Sequence, residues 1–216
     1  MKKEKFIRLQ SLGEEIANSV SHGAGALLSV VGTAALIWRG VAMESITAVL
    51  LGLIYGLSLT VLYTVSCLYH SLKRNRAKKV FRILDHCSIF LLISGTYAPI
   101  SLLIIGGWVG YTLITVNFLC AIIGIVLNAI DMKKWQKLSM VLYIIMGWMC
   151  LFTLKPLINS TPKEILWLLV GGGVAYTMGI IFYKADRVKY MHFIWHLFVL
   201  MGSILHYLFI FKGCYI

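Results

Sequence analysis

Long apolar runs separated by short polar breaks cover almost the whole of this chain. We place seven of them at 22–38, 45–70, 84–105, 109–130, 138–154, 164–183 and 191–211. Each is near the ~20 residues that an α-helix needs to cross the hydrocarbon layer. Only 13% of the 216 residues are charged, whereas a soluble domain has about 25%. The sequence therefore predicts an all-α integral membrane protein, a bundle of seven transmembrane helices.

Basic residues are distributed unequally between the two sides that seven spans define. If the N-terminus is cytoplasmic, the cytoplasmic segments hold sixteen Lys and Arg residues and the other side holds four. Because cytoplasmic loops are enriched in Lys and Arg, we expect a cytoplasmic N-terminus and an outside C-terminus in a bacterial plasma membrane. Residues 1–20 are predicted to form a cytoplasmic amphipathic segment, and residues 21–216 the seven-helix transmembrane domain.

Unusual polar side chains recur near the cytoplasmic ends of four predicted spans. They are Glu15, Asn18 and His22 before the first span, Ser66 and His70 at the end of the second, Asp85 and His86 at the start of the third, and His192 and His196 at the start of the seventh. Ionisable groups are expensive inside a membrane and are a functional hypothesis by default. We therefore expect a site at this depth.

Three of these side chains have the chemistry of a metal site. His192 and His196 are four residues apart, which places both imidazoles on one helix face. Together with His70 they could hold zinc and leave a fourth position open, as in catalytic zinc sites. Asp85 is expected to orient or deprotonate a water on the metal, and Ser66 to hydrogen-bond that water, a ligand or a developing oxyanion.

Simpler roles stay open for the same residues. Histidines at helix ends often lie in the headgroup layer without any chemical role, and we expect this of His86. The alternative for Asp85 is a salt bridge to Arg82 or Lys79. His206 lies ten residues beyond His196, about 15 Å further along a helix, so it is expected to make an interhelical hydrogen bond outside the site.

Two kinds of residue inside the spans affect packing. Gly25, Gly52 and Gly56 are predicted to let neighbouring helices approach closely, since small residues favour membrane helix contacts. Pro99 is predicted to kink the third span, because proline lacks the amide donor that an α-helix interior needs.

At the polar positions the chain resembles the haemolysin III proteins, the bacterial branch of the progestin and adipoQ receptor family. The matching segments are Glu15 to Gly23, Ser66 to Ser71, Leu84 to His86, Ser94 to Pro99, and His192 to His196 with His206. The resemblance implies a seven-helix bundle with zinc near the cytoplasmic face. It also implies His70, His192 and His196 as the zinc ligands, with Asp85 and Ser66 around the metal-bound water.

This family is also similar to a wider group of membrane hydrolases that includes alkaline ceramidases. That likeness implies a zinc-dependent hydrolase of a lipid amide or ester. The expected partners are membrane lipids, one of them a possible substrate. A nucleic-acid partner is not expected despite the net charge of +12, because the basic residues lie between apolar runs and fit orientation signals and lipid-headgroup contacts.

Two other functions stay open. One is a non-enzymatic sensor or membrane-homeostasis protein in which zinc is structural. The other is a pore-forming cytolysin that causes haemolysis. A pore needs a polar lining through the full membrane thickness, whereas the outer halves of most predicted spans are apolar.

Overall fold

The computed structural model describes residues 9–216. Within that range the α-helices are α1 (Leu12–Ala42), α2 (Ile46–Ser71), α3 (Arg76–Pro99), α4 (Gly107–Gly147), α5 (Leu154–Asn159), α6 (Lys163–Lys184) and α7 (Met191–Cys214). A π-helical turn, Ile100–Ile105, follows α3, and a 3-10 helix, Met149–Thr153, joins α4 to α5. The described residues contain no strand, which agrees with the all-α prediction.

Six stretches of the described chain are long and apolar enough to cross a membrane. They are Leu12–Ala42, Ile46–Ser71, Arg76–Ile105, Gly107–Asn159, Lys163–Lys184 and Met191–Cys214. The fourth stretch is 53 residues long, more than twice the ~20 residues of an ordinary span.

The fourth stretch folds back on itself at Asp131. The backbone of Asp131 is not helical, with φ −156° and ψ 88°. On either side of this break, Asn117 Nδ2 donates to the carbonyl oxygen of Met146 at 3.4 Å. In a straight helix these two residues would be about 43 Å apart. The two arms of α4, residues 107–130 and 132–147, therefore lie antiparallel.

The first helix begins ten residues before the predicted span. Ser11 Oγ accepts a hydrogen bond from the amide of Glu14, and the Glu14 carboxylate accepts from the amide of Ser11. This capping box starts an uninterrupted helix at Leu12. The expected boundary at residue 20 therefore falls inside α1. Residues 1–8, which hold most of the basic residues of the predicted amphipathic segment, lie outside the described residues.

Glycines bring α1 and α2 close together, as predicted. A Cβ on Gly25 would lie 2.7 Å from the Tyr63 ring, and one on Gly52 would lie 3.0 Å from Leu36 Cβ. At Gly40, a Cβ would lie 2.8 Å from the backbone nitrogen of Val49. The contact at Gly25 places the first half of α1 directly beside the carboxyl-terminal half of α2.

At Pro99, where a kink is predicted, the structure shows a change in helix type. The α-helical geometry of α3 ends at Pro99 and continues as the π-helical turn, which stops at Gly106 with φ 64°. Because proline has no amide hydrogen, one hydrogen bond of the α-helical pattern cannot form there. The π-helical turn, which is wider than an α-helical turn, begins at the next residue, Ile100.

We expect Gly40→Ala to lower the stability of the purified protein by about 1–3 kcal/mol, the usual cost of overpacking. The added methyl group would clash with the backbone of Val49, which cannot move aside as a flexible side chain can. Thermal unfolding in detergent measures the effect. Gly147→Ala is the control, because a Cβ there meets no atom within 4 Å. Equal melting temperatures for the two variants would contradict the prediction.

Candidate metal centre

Three histidines from two helices meet in the interior of the bundle. His70 lies in the last turn of α2, and His192 and His196 lie in the first two turns of α7. The nitrogen atoms that each can offer to a metal lie within 4.8 Å of one another. His70 and His196 are buried, and His192 is half-buried. The structure thus brings together the three histidines selected from the sequence, and the group could hold a metal ion.

The hydrogen bonds of these rings are those expected of metal ligands. The Nε2 atoms of His70, His192 and His196 are buried without a hydrogen-bond partner among the described residues. On the opposite side of the ring, His70 Nδ1 lies 2.7 Å from Glu15 Oε2, and His196 Nδ1 lies 3.2 Å from the carbonyl oxygen of Asn18. A ring that donates from Nδ1 keeps its lone pair on Nε2, where a metal binds. The residues present therefore fit a metal with a preference for nitrogen ligands, such as zinc.

The Glu15 carboxylate connects His70 to a lysine of α3. While Oε2 accepts from His70, Oε1 accepts from Lys78 Nζ at 2.7 Å. Lys78 Nζ also donates to the carbonyl oxygen of Leu72 at 3.0 Å. A carboxylate in this position fixes the orientation of a ligand imidazole and raises its basicity.

The sequence places Glu15, Asn18 and His22 at the depth of the expected site but gives them no individual role. They are spaced by three and four residues, which places them on one face of α1. That common face is the signal in the sequence that these residues act together. His22 is buried with 1% exposure, and its ring stacks on His196 with the centroids 3.6 Å apart.

Asp85 and Ser66 lie beside the three histidines. Ser66 is one helical turn before His70 on α2, and its buried Oγ has no hydrogen-bond partner among the residues described. Asp85, which is 5% exposed, lies within electrostatic range of His70 and near the side chain of Ser66. Its nearest ionic contact in the described chain is His86 Nδ1, 4.0 Å from Oδ2.

The alternative salt bridge of Asp85 is not observed. Among the described residues, Asp85 forms no ion pair with Arg82 or Lys79. A carboxylate that no Arg or Lys neutralises remains available as a hydrogen-bond acceptor. The location of Asp85 is thus compatible with the predicted catalytic role, which stays a prediction.

The remaining two histidines serve contacts between helices. His86 Nδ1 donates to the carbonyl oxygen of Arg82 at 2.9 Å, and its Nε2 lies 3.5 Å from Tyr183 Oη on α6. His206 Nε2 donates to the carbonyl oxygen of Leu169 on α6 at 3.0 Å. The interhelical hydrogen bond predicted for His206 is confirmed.

A mainly apolar cavity of about 170 Å³ adjoins the site. His22 and Asp85 line it near the histidines, and Trp148 and His206 line it further along. Along α7 the lining extends from Trp195 to His206, a distance of about 16 Å. The cavity is therefore long as well as apolar, which suits a hydrocarbon chain better than a compact polar molecule.

Comparison with known proteins identifies related chains over nearly the full length. The family model described as Haemolysin-III related matches residues 10–207. "Hemolysin-3" of Bacillus cereus is 40% identical over 201 residues, which cover 93% of this chain and 92% of that protein. "Hemolysin-3 homolog" of Bacillus subtilis (strain 168) is 37% identical, with 89% of this chain and 91% of that protein covered.

A more distant relative comes from a mammal. The human "Monocyte to macrophage differentiation factor" is 29% identical over 215 residues, with 94% of this chain and 85% of that protein covered. This similarity supports the relationship to the progestin and adipoQ receptor family. No solved structure matches the chain at a significant level.

We predict that Glu15→Gln weakens metal binding about 10- to 100-fold, the usual effect of losing a carboxylate behind a ligand histidine. The amide keeps the shape of the side chain but removes the charge that polarises His70. Competition with a chelator of known zinc affinity measures the change in detergent-purified protein. Glu44→Gln, at an exposed position after α1, is the control. A Glu15→Gln protein that competes as well as wild type would refute this role of Glu15.

Proposed function

Because the chain belongs to the haemolysin III family, we propose that it is a zinc-dependent hydrolase of a lipid amide or ester. The chain is a multi-pass protein of the plasma membrane, so its substrate would reach it within the bilayer. One observation carries the proposal. Three imidazoles with buried, unpartnered Nε2 atoms offer ligand nitrogens within 4.8 Å of one another, next to a long apolar cavity that Asp85 lines.

The proposed topology has seven spans, with the N-terminus in the cytoplasm and the C-terminus outside. The two arms of α4 count as separate spans in this topology. The antiparallel contact between Asn117 and Met146 supports that count. Lys133, Lys134 and Lys137 follow the turn at Asp131, which favours a cytoplasmic location for the turn. The histidines then lie near the cytoplasmic face.

His70, His192 and His196 would hold the zinc ion through their Nε2 atoms. When bound, zinc supplies Lewis-acid activation of a carbonyl group and of water near neutral pH. Glu15 and the backbone of Asn18 keep two of the imidazoles in the orientation that this binding needs. The chain thereby provides a preorganised site, which lowers the cost of binding the ion.

Asp85 and Ser66 provide the remaining chemistry. Asp85 accepts the proton of the attacking water and returns it to the leaving amine or alcohol, as a general base and then acid. The Ser66 hydroxyl, buried and without another partner, donates a hydrogen bond to the developing oxyanion. The apolar cavity takes up the hydrocarbon chain and excludes water around the reacting carbonyl.

A non-enzymatic role with structural zinc is the second candidate. Glu15, His70 and Lys78 join α1, α2 and α3 around the site, and His192 and His196 add α7. A metal here would therefore link α2 to α7, while Glu15 and Lys78 connect α1 and α3 to its His70 ligand, which favours a stabilising role. The apolar lining of the cavity gives no support to a water-filled pore.

Metal analysis tests the first step of the proposal. We expect about one zinc per chain in freshly purified wild type, as three protein ligands with an open position would bind, and loss of that zinc in His192→Ala. The control is His206→Gln, because His206 bonds to α6 and lies outside the group of three. Wild-type protein without zinc would remove both zinc hypotheses.

Turnover separates the enzyme from the structural alternative. Removing a general base costs about 10²–10⁴ in rate, so Asp85→Asn should retain zinc and lose activity by that factor on lipid amides and esters presented in vesicles. Ser66→Ala should lose about 10²–10³. If zinc-loaded Asp85→Asn hydrolyses lipids at the wild-type rate, the assigned mechanism is wrong. If wild type holds zinc but hydrolyses none of them, the structural role stands.

A further inference from the structure

Seven of the ten buried side-chain atoms without a hydrogen-bond partner in the described chain belong to this one site. A bound metal would engage three of them, the Nε2 atoms of the ligand histidines. Four remain after that: Asn18 Oδ1, both ring nitrogens of His22, and Ser66 Oγ. Burying a polar atom without a partner lowers the stability of the fold. These four atoms could therefore form hydrogen bonds with a ligand in addition to the metal.

Two of these four remaining atoms are the ring nitrogens of His22. Its ring is held from two sides, stacked on His196 at 3.6 Å and edge-on to Tyr63 with the centroids 5.0 Å apart. His22 is not in the group of three that could hold the metal. It does line the apolar cavity, as does Asp85. The ring is therefore fixed in place by its faces, and its two nitrogens are buried without a partner in the described chain.

We propose that His22 binds the polar head of the molecule that occupies the cavity. A neutral imidazole presents one N–H donor and one acceptor nitrogen, and neither ring nitrogen of His22 has a partner in the described chain. The matching ligand is a single hydrocarbon chain that ends in a group with both a donor and an acceptor. The inference rests on the proposed function for the cavity as the ligand site, but it does not require that the ligand is hydrolysed.

Two probes without an amide or ester bond isolate this contact. They are 1-dodecanol, whose hydroxyl both donates and accepts, and 1-chlorododecane, which has the same chain and no donor. Native mass spectrometry of the zinc-loaded, detergent-purified protein measures binding of each probe at equal mole fraction in the micelle. Wild type should prefer the alcohol by about tenfold, the worth of one to two buried hydrogen bonds.

His22→Phe should abolish that preference while zinc content stays unchanged. Phenylalanine keeps an aromatic ring between His196 and Tyr63 but removes both nitrogens. His22→Gln, which retains a donor and an acceptor, should keep part of the preference and covers the case in which the Phe variant does not fold. The control is Ser29→Ala, since Ser29 is buried on α1 and bonded to the carbonyl oxygen of Gly25.

Three results would overturn the assignment of His22. They are no preference for the alcohol in wild type, an unchanged preference in His22→Phe, and loss of zinc in both His22 variants, which would make His22 part of the metal site. The outcomes for the two proposals are separable. A preference that depends on His22 without any lipid turnover refutes the hydrolase alone, and turnover without such a preference refutes the role of His22 alone.

Discussion

The hydrogen bond between Glu15 and His70 is the interaction on which the site depends. A half-buried carboxylate such as Glu15 is destabilising unless it is neutralised and hydrogen-bonded. Here one oxygen bonds to the imidazole and the other to the Lys78 ammonium. Because the three side chains come from α1, α2 and α3, the interaction also fixes how these helices meet. The direction of His70 Nε2, toward the other two histidines, follows from that arrangement.

The amino-terminal turns of α1 also fix the helix that carries the other two histidines. Glu14 Oε1 accepts a hydrogen bond from the backbone amide of Tyr190 at 2.8 Å. Tyr190 precedes the first turn of α7 and has φ 64°, a left-handed conformation that non-glycine residues seldom adopt. The charge on Glu14 lies near the amino end of α7, where a helix favours an anion. One short stretch of α1 thus holds both elements that supply the candidate ligands.

Part of this arrangement could be predicted from the sequence because it depends on spacing alone. The four-residue interval between His192 and His196 sets their common face whatever surrounds them. Hydropathy likewise located the apolar stretches. It placed the start of the first span at residue 22, however, and assigned residues 1–20 to a separate amphipathic segment, because the turns that carry Glu15 and Asn18 are polar. The capping box at Ser11, not apolarity, determines where α1 begins.

The relative rotation of helices lies beyond such spacing arguments. Nothing local to His22 shows that its ring would stack on His196, because that contact depends on how α1 rotates against α7, and the two residues are 174 positions apart in the chain. At Gly25 a Cβ would lie 2.7 Å from the Tyr63 ring of α2 and 2.8 Å from Leu200 of α7, so the glycine lets α1 approach both helices. A glycine expected to serve packing alone therefore also helps to bring His22 to the site.

The polar and apolar parts of the site impose different requirements on what it binds. Buried nitrogens and oxygens without partners lower the stability of a fold, and concentrating seven of them in one place is disadvantageous for a protein whose only task is to hold its shape. A metal ion alone would satisfy the three ligand nitrogens and leave the others. A wholly apolar molecule would fill the cavity and satisfy none of them. The proposed amphiphile, with its head among the histidines and its chain along α7, would meet both requirements.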